Sequence, residues 1–202
     1  MKIYETRTAP NPRLVRMFLA EKGMSAEYIE LDIAAGENLS AAMRAKNVTT
    51  KVPFLELDDG TVIGETAAIC RYIEEIQSAP ALMGNSPVEK AIIEMWRRRV
   101  EFGFFMPVGM CFQHSTGYFK DRMTPVAEFG AVSGKMALDF LNVINDQLAT
   151  NEYVAGASFS IADITLLVAI DFARVMKIRI GDQHPHVQRW YEMVSSRKSA
   201  QA

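Results

Sequence analysis

Two short stretches hold the polar groups best placed for chemistry in this chain. One runs from Lys51-Val52-Pro53 to Glu65-Thr66, and brings a cation, an X–Pro bond and an acid–hydroxyl pair to the two ends of a patterned segment. The other is Thr8-Ala9-Pro10-Asn11-Pro12, a hydroxyl and an amide before a helix-like run. Thr66 stands where an N-cap belongs, ahead of Ile69, Ile73 and Ile76 at helical spacing. Asn11-Pro12 reads the same way, an N-cap followed by proline at the first helical position. An open helix N-terminus offers unpaired N–H groups and the positive end of a dipole, so the chemistry these stretches suggest is the binding of carboxylates and other anions. Val52-Pro53 is also a place that can hold a cis bond, since X–Pro is the one common site for it.

The elements that position these residues follow from pattern. Phe54 to Leu57 alternates, Asp59-Gly60 is a turn, and Thr61 to Gly64 is the return strand of a hairpin. Ahead of it, Ile3 to Glu5 reads as a strand. Leu14, Val15, Phe18 and Leu19 give one helix face, which Gly23 stops; Tyr28 to Ile33 is a second strand, and Glu37 to Ala45 a modest helix. The order β-α-β-α-β-β-α is that of an α/β thioredoxin-like domain. Residues 78 to 85 carry Pro80 and Gly84 and form a linker. Everything beyond reads as helix, opening on the capping box Ser86-Pro87-Val88-Glu89 and expected to kink or break near Gly103, Pro107 and Gly109. Ser160-Ile161-Ala162-Asp163 is a second cap, and the apolar Leu166 to Ile170 predicts a central buried helix.

Composition narrows the function classes. In 202 residues, 22 Lys plus Arg face 24 Asp plus Glu for a net charge of −2, so no basic field exists to hold nucleic acid or an anionic membrane. Arg97-Arg98-Arg99 is the one local cluster, expected on a solvated or interface helix face. Cys70 and Cys111 form no metal or dithiol pattern, which suits a reducing, cytoplasmic setting. No metal site is expected, and no apolar run approaches the length of a membrane span.

The hairpin segment resembles the glutathione site of the cytosolic glutathione transferases. The family's signature is Val-Pro-x-Leu, then an Asp-containing turn, then an acidic or amide residue before Ser or Thr and Ala-Ile; this chain supplies Val52, Pro53, Leu55, Asp59, Gly60, Glu65, Thr66, Ala68 and Ile69. Val154-Ala155-Gly156 through Phe159 to Ile164 is similar to that family's helix-capping motif, so the resemblance spans nearly the whole chain. It implies a thioredoxin-like glutathione-binding domain over 1–77, a linker over 78–85 and an all-helical bundle over 86–202. It also implies a cytoplasmic homodimer that detoxifies hydrophobic electrophiles by transferring glutathione to them, with glutathione as co-substrate. The glutathione site would comprise Ala9, Lys51, Val52, Pro53, Glu65 and Thr66: Val52 pairs by its backbone, Thr66 and Glu65 take the γ-glutamyl end, and Lys51 takes the glycine carboxylate. Phe105, Met106, Met110 and His114 would contribute to the hydrophobic substrate site between the domains. One departure stands out. Ala9 occupies the position where the family usually has a hydroxyl that donates to the glutathione sulfur. Thr8, Thr6, Tyr4, the Asn11 amide and a backbone N–H at residues 9 to 11 are the replacements, Asn11 and Thr8 foremost, Asn11 by likeness to bacterial nu-class members. Loss of the hydroxyl leaves open a glutathione-dependent disulfide reductase, or a non-catalytic binding protein of the same fold.

Overall fold

The computed structural model covers residues 1–202, which group into two compact units, residues 1–82 with 198–202 and residues 83–197. The first unit runs β1 (Lys2–Glu5), α1 (Pro10–Glu21), β2 (Glu27–Glu30), a 3-10 turn (Glu37–Leu39), α2 (Ala41–Lys46), β3 (Phe54–Glu56), β4 (Val62–Ile63) and α3 (Thr66–Ile76). This is the thioredoxin-like order expected. The strands form one mixed sheet in the order β2-β1-β3-β4, with β1 and β2 parallel and the other two pairings antiparallel. β2 is shorter than the alternation suggests, because its pairing ends where β1 ends, at Glu5 opposite Glu30. The modest helix is broken in two at Ser40, whose extended backbone and hydroxyl cap α2 by accepting from Met43. Gly60 closes the hairpin at φ 86, a left-handed conformation that glycine takes without strain.

Apolar spacing explains the core. Val15, Phe18 and Leu19 of α1, Ile69 and Ile73 of α3, and Ile3 and Leu55 of the sheet are all sealed from solvent. Each such side chain contributes about 1.5–3 kcal/mol by leaving water. A second cluster forms from Tyr4, Leu31 and Phe54, with Met43 of α2 packed on it, the Tyr4 and Phe54 rings stacking 4.4 Å apart at 7°. Lys46 at the end of α2 reaches Glu56 of β3 at 2.6 Å, and the Tyr4 hydroxyl donates to the same carboxylate at 2.6 Å. The segment Lys198–Gln201 returns to this unit: Ser199 Oγ donates to Glu21, and Arg13 donates to the Ala200 carbonyl at 3.0 Å.

The second unit is all helix: α4 (Pro87–Val100), a π-helical turn (Glu101–Phe105), α5 (Met106–Thr116), α6 (Ala127–Thr150), α7 (Ile161–Ala173) and α8 (Pro185–Ser195). The Ser86 capping box is complete, Glu89 N–H donating to Ser86 Oγ at 3.2 Å and Ser86 N–H to the Glu89 carboxylate at 3.0 Å. The expected break before Pro107 takes the form of the π turn, a wider ring that absorbs the amide hydrogen bond proline cannot make. Arg97 is buried rather than solvated, with Glu94 and Glu101 on its guanidinium. α7 is buried along its length from Ile161 to Ile170. Its Asp163 accepts from the N–H groups of Val154 and Ser160, from Ser160 Oγ and from Trp190 Nε1, all within 2.8–3.1 Å. Burial pushes that carboxyl up to about 6 while the four donors pull the other way. Asp163 therefore holds a helix end and its neighbours, as a cap should.

Candidate functional site

Antiparallel pairing gathers the polar groups of the first unit at one edge. β3 pairs with β4 through Leu55↔Ile63, so residues 51–53 entering β3 and residues 64–66 leaving β4 meet at the same end of the hairpin. β1 runs antiparallel to β3 through Tyr4↔Phe54, so the segment leaving β1 toward α1 departs from that end too. The Val52-Pro53 bond is cis, as the sequence allows. Two asparagines build the loop before it. Asn38 donates to the Thr50 carbonyl at 2.7 Å, while buried Asn47 donates to the Lys51 carbonyl at 2.9 Å and accepts from the Thr49 hydroxyl at 3.0 Å. The bonds of neither asparagine were legible, because both act through backbone carbonyls that only folding brings near.

With the loop held, Val52 is left half-buried with neither its N–H nor its C=O bonded within the chain. That is an unpaired strand edge one residue long, suited to an extended peptide. Beyond the hairpin, Glu65 and not Thr66 occupies the N-cap position of α3, with φ 62 and ψ 123 and no side-chain cap. Thr66 is the first helical residue. The expectation of a threonine cap is thus corrected: at the first helical position its hydroxyl makes no bond within the chain. The first intrahelical bond is Ile69 N–H to Glu65 C=O, so the N–H groups of Thr66, Ala67 and Ala68 have no carbonyl partner. The left-handed Glu65 aims this open terminus; such a backbone costs about 1–3 kcal/mol for a non-glycine residue and concentrates at ligand sites. Lys51 and Glu65 are both exposed at the same edge.

α1 corrects a second cap. Ala9 is the N-cap, Pro10 the first helical residue, and Asn11 and Pro12 follow within the first turn. The two prolines have no N–H, and Arg13 N–H already reaches Ala9 C=O, which leaves the Asn11 N–H as the one open backbone donor of that turn. The other replacements for the missing hydroxyl are engaged. Thr6 Oγ1 donates to the Leu31 carbonyl at 2.6 Å, and Ala9 N–H to the Thr6 carbonyl at 2.9 Å. The Tyr4 hydroxyl is tied to Glu56, a bond that with burial holds its pKa above the ordinary range. Thr8 and Asn11 remain exposed with their side chains uncommitted.

In the second unit, Met106, Met110 and His114 recur every four residues along one stripe of α5, Met106 being 47% exposed. Phe105 stands beside them at the end of the π turn, its ring edge-on to Phe172 at 6.5 Å. Phe172 went unnoticed in the sequence since α7 is apolar on every side and offers no stripe to single it out. His114 Nδ1 accepts from the Val126 N–H at 3.0 Å. No group of three or more His, Cys, Asp or Glu stands together as a metal would require, and no helix is long and apolar enough to cross a membrane.

Comparison with known proteins gives matches over both units. Residues 3–81 match the family described as glutathione S-transferase, N-terminal domain, and residues 133–198 match glutathione S-transferase, C-terminal domain. The chain is 36% identical over 203 residues to glutathione S-transferase 2 of Saccharomyces cerevisiae, covering 98% of this chain and 87% of the yeast protein. It superposes at a TM-score of 0.95 and 38% identity on the crystal structure of a glutathione S-transferase domain-containing protein of Marinobacter aquaeolei VT8, over 98% of this chain and 99% of that one. Probable elongation factor 1-gamma 1 of Arabidopsis thaliana is 32% identical over 183 residues, 85% of this chain but 43% of the plant protein.

Proposed function

Since the chain belongs to the glutathione S-transferase family, we propose that it binds glutathione at the edge of the first unit, holds its sulfur as the thiolate and transfers it to hydrophobic electrophiles. The observation that carries this reading is the set of polar groups left unspent there. Val52 offers both backbone groups to the cysteinyl residue, and the open α3 terminus with the Thr66 hydroxyl offers donors to the γ-glutamyl carboxylate. Glu65 has the reach to pair with the γ-glutamyl ammonium, and Lys51 supplies the cation for the glycine carboxylate. A free thiol titrates near pH ~8.5, so one further donor must favour the charged sulfur. Asn11, by N–H or side-chain amide, takes that role in place of the hydroxyl that Ala9 lacks, with Thr8 the second candidate. Phe105, Met106, Met110 and His114 belong to the electrophile side.

The same reading includes a cytoplasmic, detoxifying homodimer. Its support is the apolar face of α4, where Val88 is 67%, Ile92 39% and Met95 40% exposed. A single-chain mass in sedimentation at micromolar concentration overturns the dimer.

Ala9 favours a second reading, glutathione-dependent disulfide reduction, which shares the binding groups and tolerates the lost hydroxyl. Similarity to an elongation factor 1-gamma protein supports a third, a binding module without transfer chemistry. Retention on immobilised glutathione, then conjugation and disulfide-exchange assays, separates the three. Retention with conjugation supports the transferase; exchange without conjugation gives the reductase; retention with neither activity, or no retention at all, gives the binding module.

A further inference from the structure

Five rings in the second unit form one connected cluster. Phe112 of α5 lies 5.4 Å from Phe172, 5.5 Å from Tyr118 and 6.4 Å from Phe119, centroid to centroid, and Phe105 joins through Phe172. None of the five is fully buried, and Tyr118 is 49% exposed. Rings in an ordinary core are covered on both faces; a cluster whose members touch each other yet keep open surface has room for one more ring.

Tyr118 and Phe119 come from the connection 117–126, which has no helix or strand of its own. Near α5 it is folded by local bonds, Tyr118 N–H to Thr116 Oγ1 at 3.1 Å and Met123 N–H to the Phe119 carbonyl at 3.0 Å. At the far end it is fixed by His114. Val126 is the N-cap residue of α6, and its side chain makes no cap. In a capping box the side chain three positions on would take the N-cap N–H, but that residue here is Phe129, which has no acceptor. His114 of the preceding helix takes the bond instead, and Phe129 stands edge-on to the imidazole at 4.9 Å and 89°. Because Nδ1 accepts, the neutral ring carries its proton on Nε2. The two helices approach closely at this point: a Cβ on Gly130 would collide with Ser115 Oγ and stand 3.2 Å from the His114 Cβ, so a larger residue there would have to push α5 and α6 apart or turn the Ser115 side chain.

We propose that His114 is a positioning residue for electrophile choice: by pinning Val126 it fixes the connection so that Tyr118 and Phe119 complete an aromatic surface that selects flat aromatic electrophiles over aliphatic ones. The proposal rests on the transferase reading for the reaction, and on the hydrogen bond and ring geometry for the residue. His114 does not act on the reacting atoms.

Three variants test it: His114→Ala, His114→Asn, whose Oδ1 can stand near the lost Nδ1, and Tyr118→Leu, which removes a ring and leaves the latch. With 1-chloro-2,4-dinitrobenzene, His114→Ala raises KM about fivefold or more, as loss of one or two ring contacts predicts, while KM for iodoethane rises clearly less and KM for glutathione stays unchanged. His114→Asn restores the wild-type value, and Tyr118→Leu repeats the aromatic loss. Amide exchange at Val126 quickens in His114→Ala alone. An equal rise in KM for both electrophiles, or faster exchange with unchanged KM, makes His114 a simple helix cap and overturns the proposal. Should His114→Ala not fold, Tyr118→Leu and His114→Asn decide it: an unaltered preference for the aromatic substrate in Tyr118→Leu overturns it. Should the wild type turn over no electrophile, the transferase reading fails on its own. The latch is then read by 8-anilinonaphthalene-1-sulfonate, whose affinity must fall in His114→Ala and return in His114→Asn.

Discussion

Pro10 and Pro12 remove two N–H donors from the first turn of α1, so an anion approaching that end meets Asn11. Ala9 holds the cap position, which separates chemistry from stability at Asn11. Asn11→Ala is therefore expected to raise the pKa of bound glutathione, each unit being about 1.4 kcal/mol of preference for the thiolate. Unfolding stability stays within about 0.5 kcal/mol, as for other exposed positions without a structural bond. Ultraviolet titration of the bound thiolate beside thermal unfolding checks both halves; an unmoved titration transfers the role to Thr8. Thr66 allows a similar separation. Its hydroxyl is not spent on capping α3, so Thr66→Ala removes one hydrogen bond to a charged carboxylate, worth about 1.5–3 kcal/mol, and weakens glutathione about tenfold or more by calorimetry. The melting temperature stays put, whereas loss of a true cap would cost about 1 kcal/mol of stability and lower it.

Among the elements, α2 is tied to the sheet by polar contacts as well as by Met43. The Lys46 ammonium, and after it the Tyr4 hydroxyl, hold the Glu56 carboxyl below its usual range. A lowered native pKa contributes stability that is present above the unfolded value of about 4.3 and disappears as pH falls through the native one. Urea midpoints of the wild type and Glu56→Gln should thus differ most near about pH 6 and converge toward about pH 3; a gap that persists in acid would show the tie to be packing alone. Legibility divided along similar lines. The caps at Ser86 and Ser160 could be read from sequence since each box is closed by residues three apart. The starts of α1 and α3 were misread by two residues and by one, because a Pro-Asn-Pro turn and a left-handed Glu65 are settled by what surrounds them. At the site, Val52, Pro53 and Thr66 were visible as a pattern, while Asn38 was not and the bonds of Asn47 were not: the partners of both lie on loop carbonyls with no side-chain signature. His114 could be picked out as a polar group on an apolar helix, but its partner is an amide twelve residues on, across a connection of undetermined path.

For the molecule as a whole, the division of the chain is not a division of the sequence. Ser199 and Ala200 are buried against the first unit, and Arg13 and Glu21 of α1 bond to them. Ending the chain at Arg197 should cost about 1–3 kcal/mol, the range for losing a few buried contacts and hydrogen bonds. At this chain length that lowers Tm by about 2–4 °C for each kcal/mol, a shift that calorimetry resolves; an unchanged Tm would mean the segment merely rests on α1. On the ribosome, the same arrangement sets an order of events. Residues 1–82 emerge first, yet the groups that seat against Arg13 and Glu21 arrive only after residues 83–197 have been made. At about 5–20 residues per second, α1 waits roughly ten seconds with the Ala200 seat uncovered, so the half of the protein that is synthesised first is the half that is finished last.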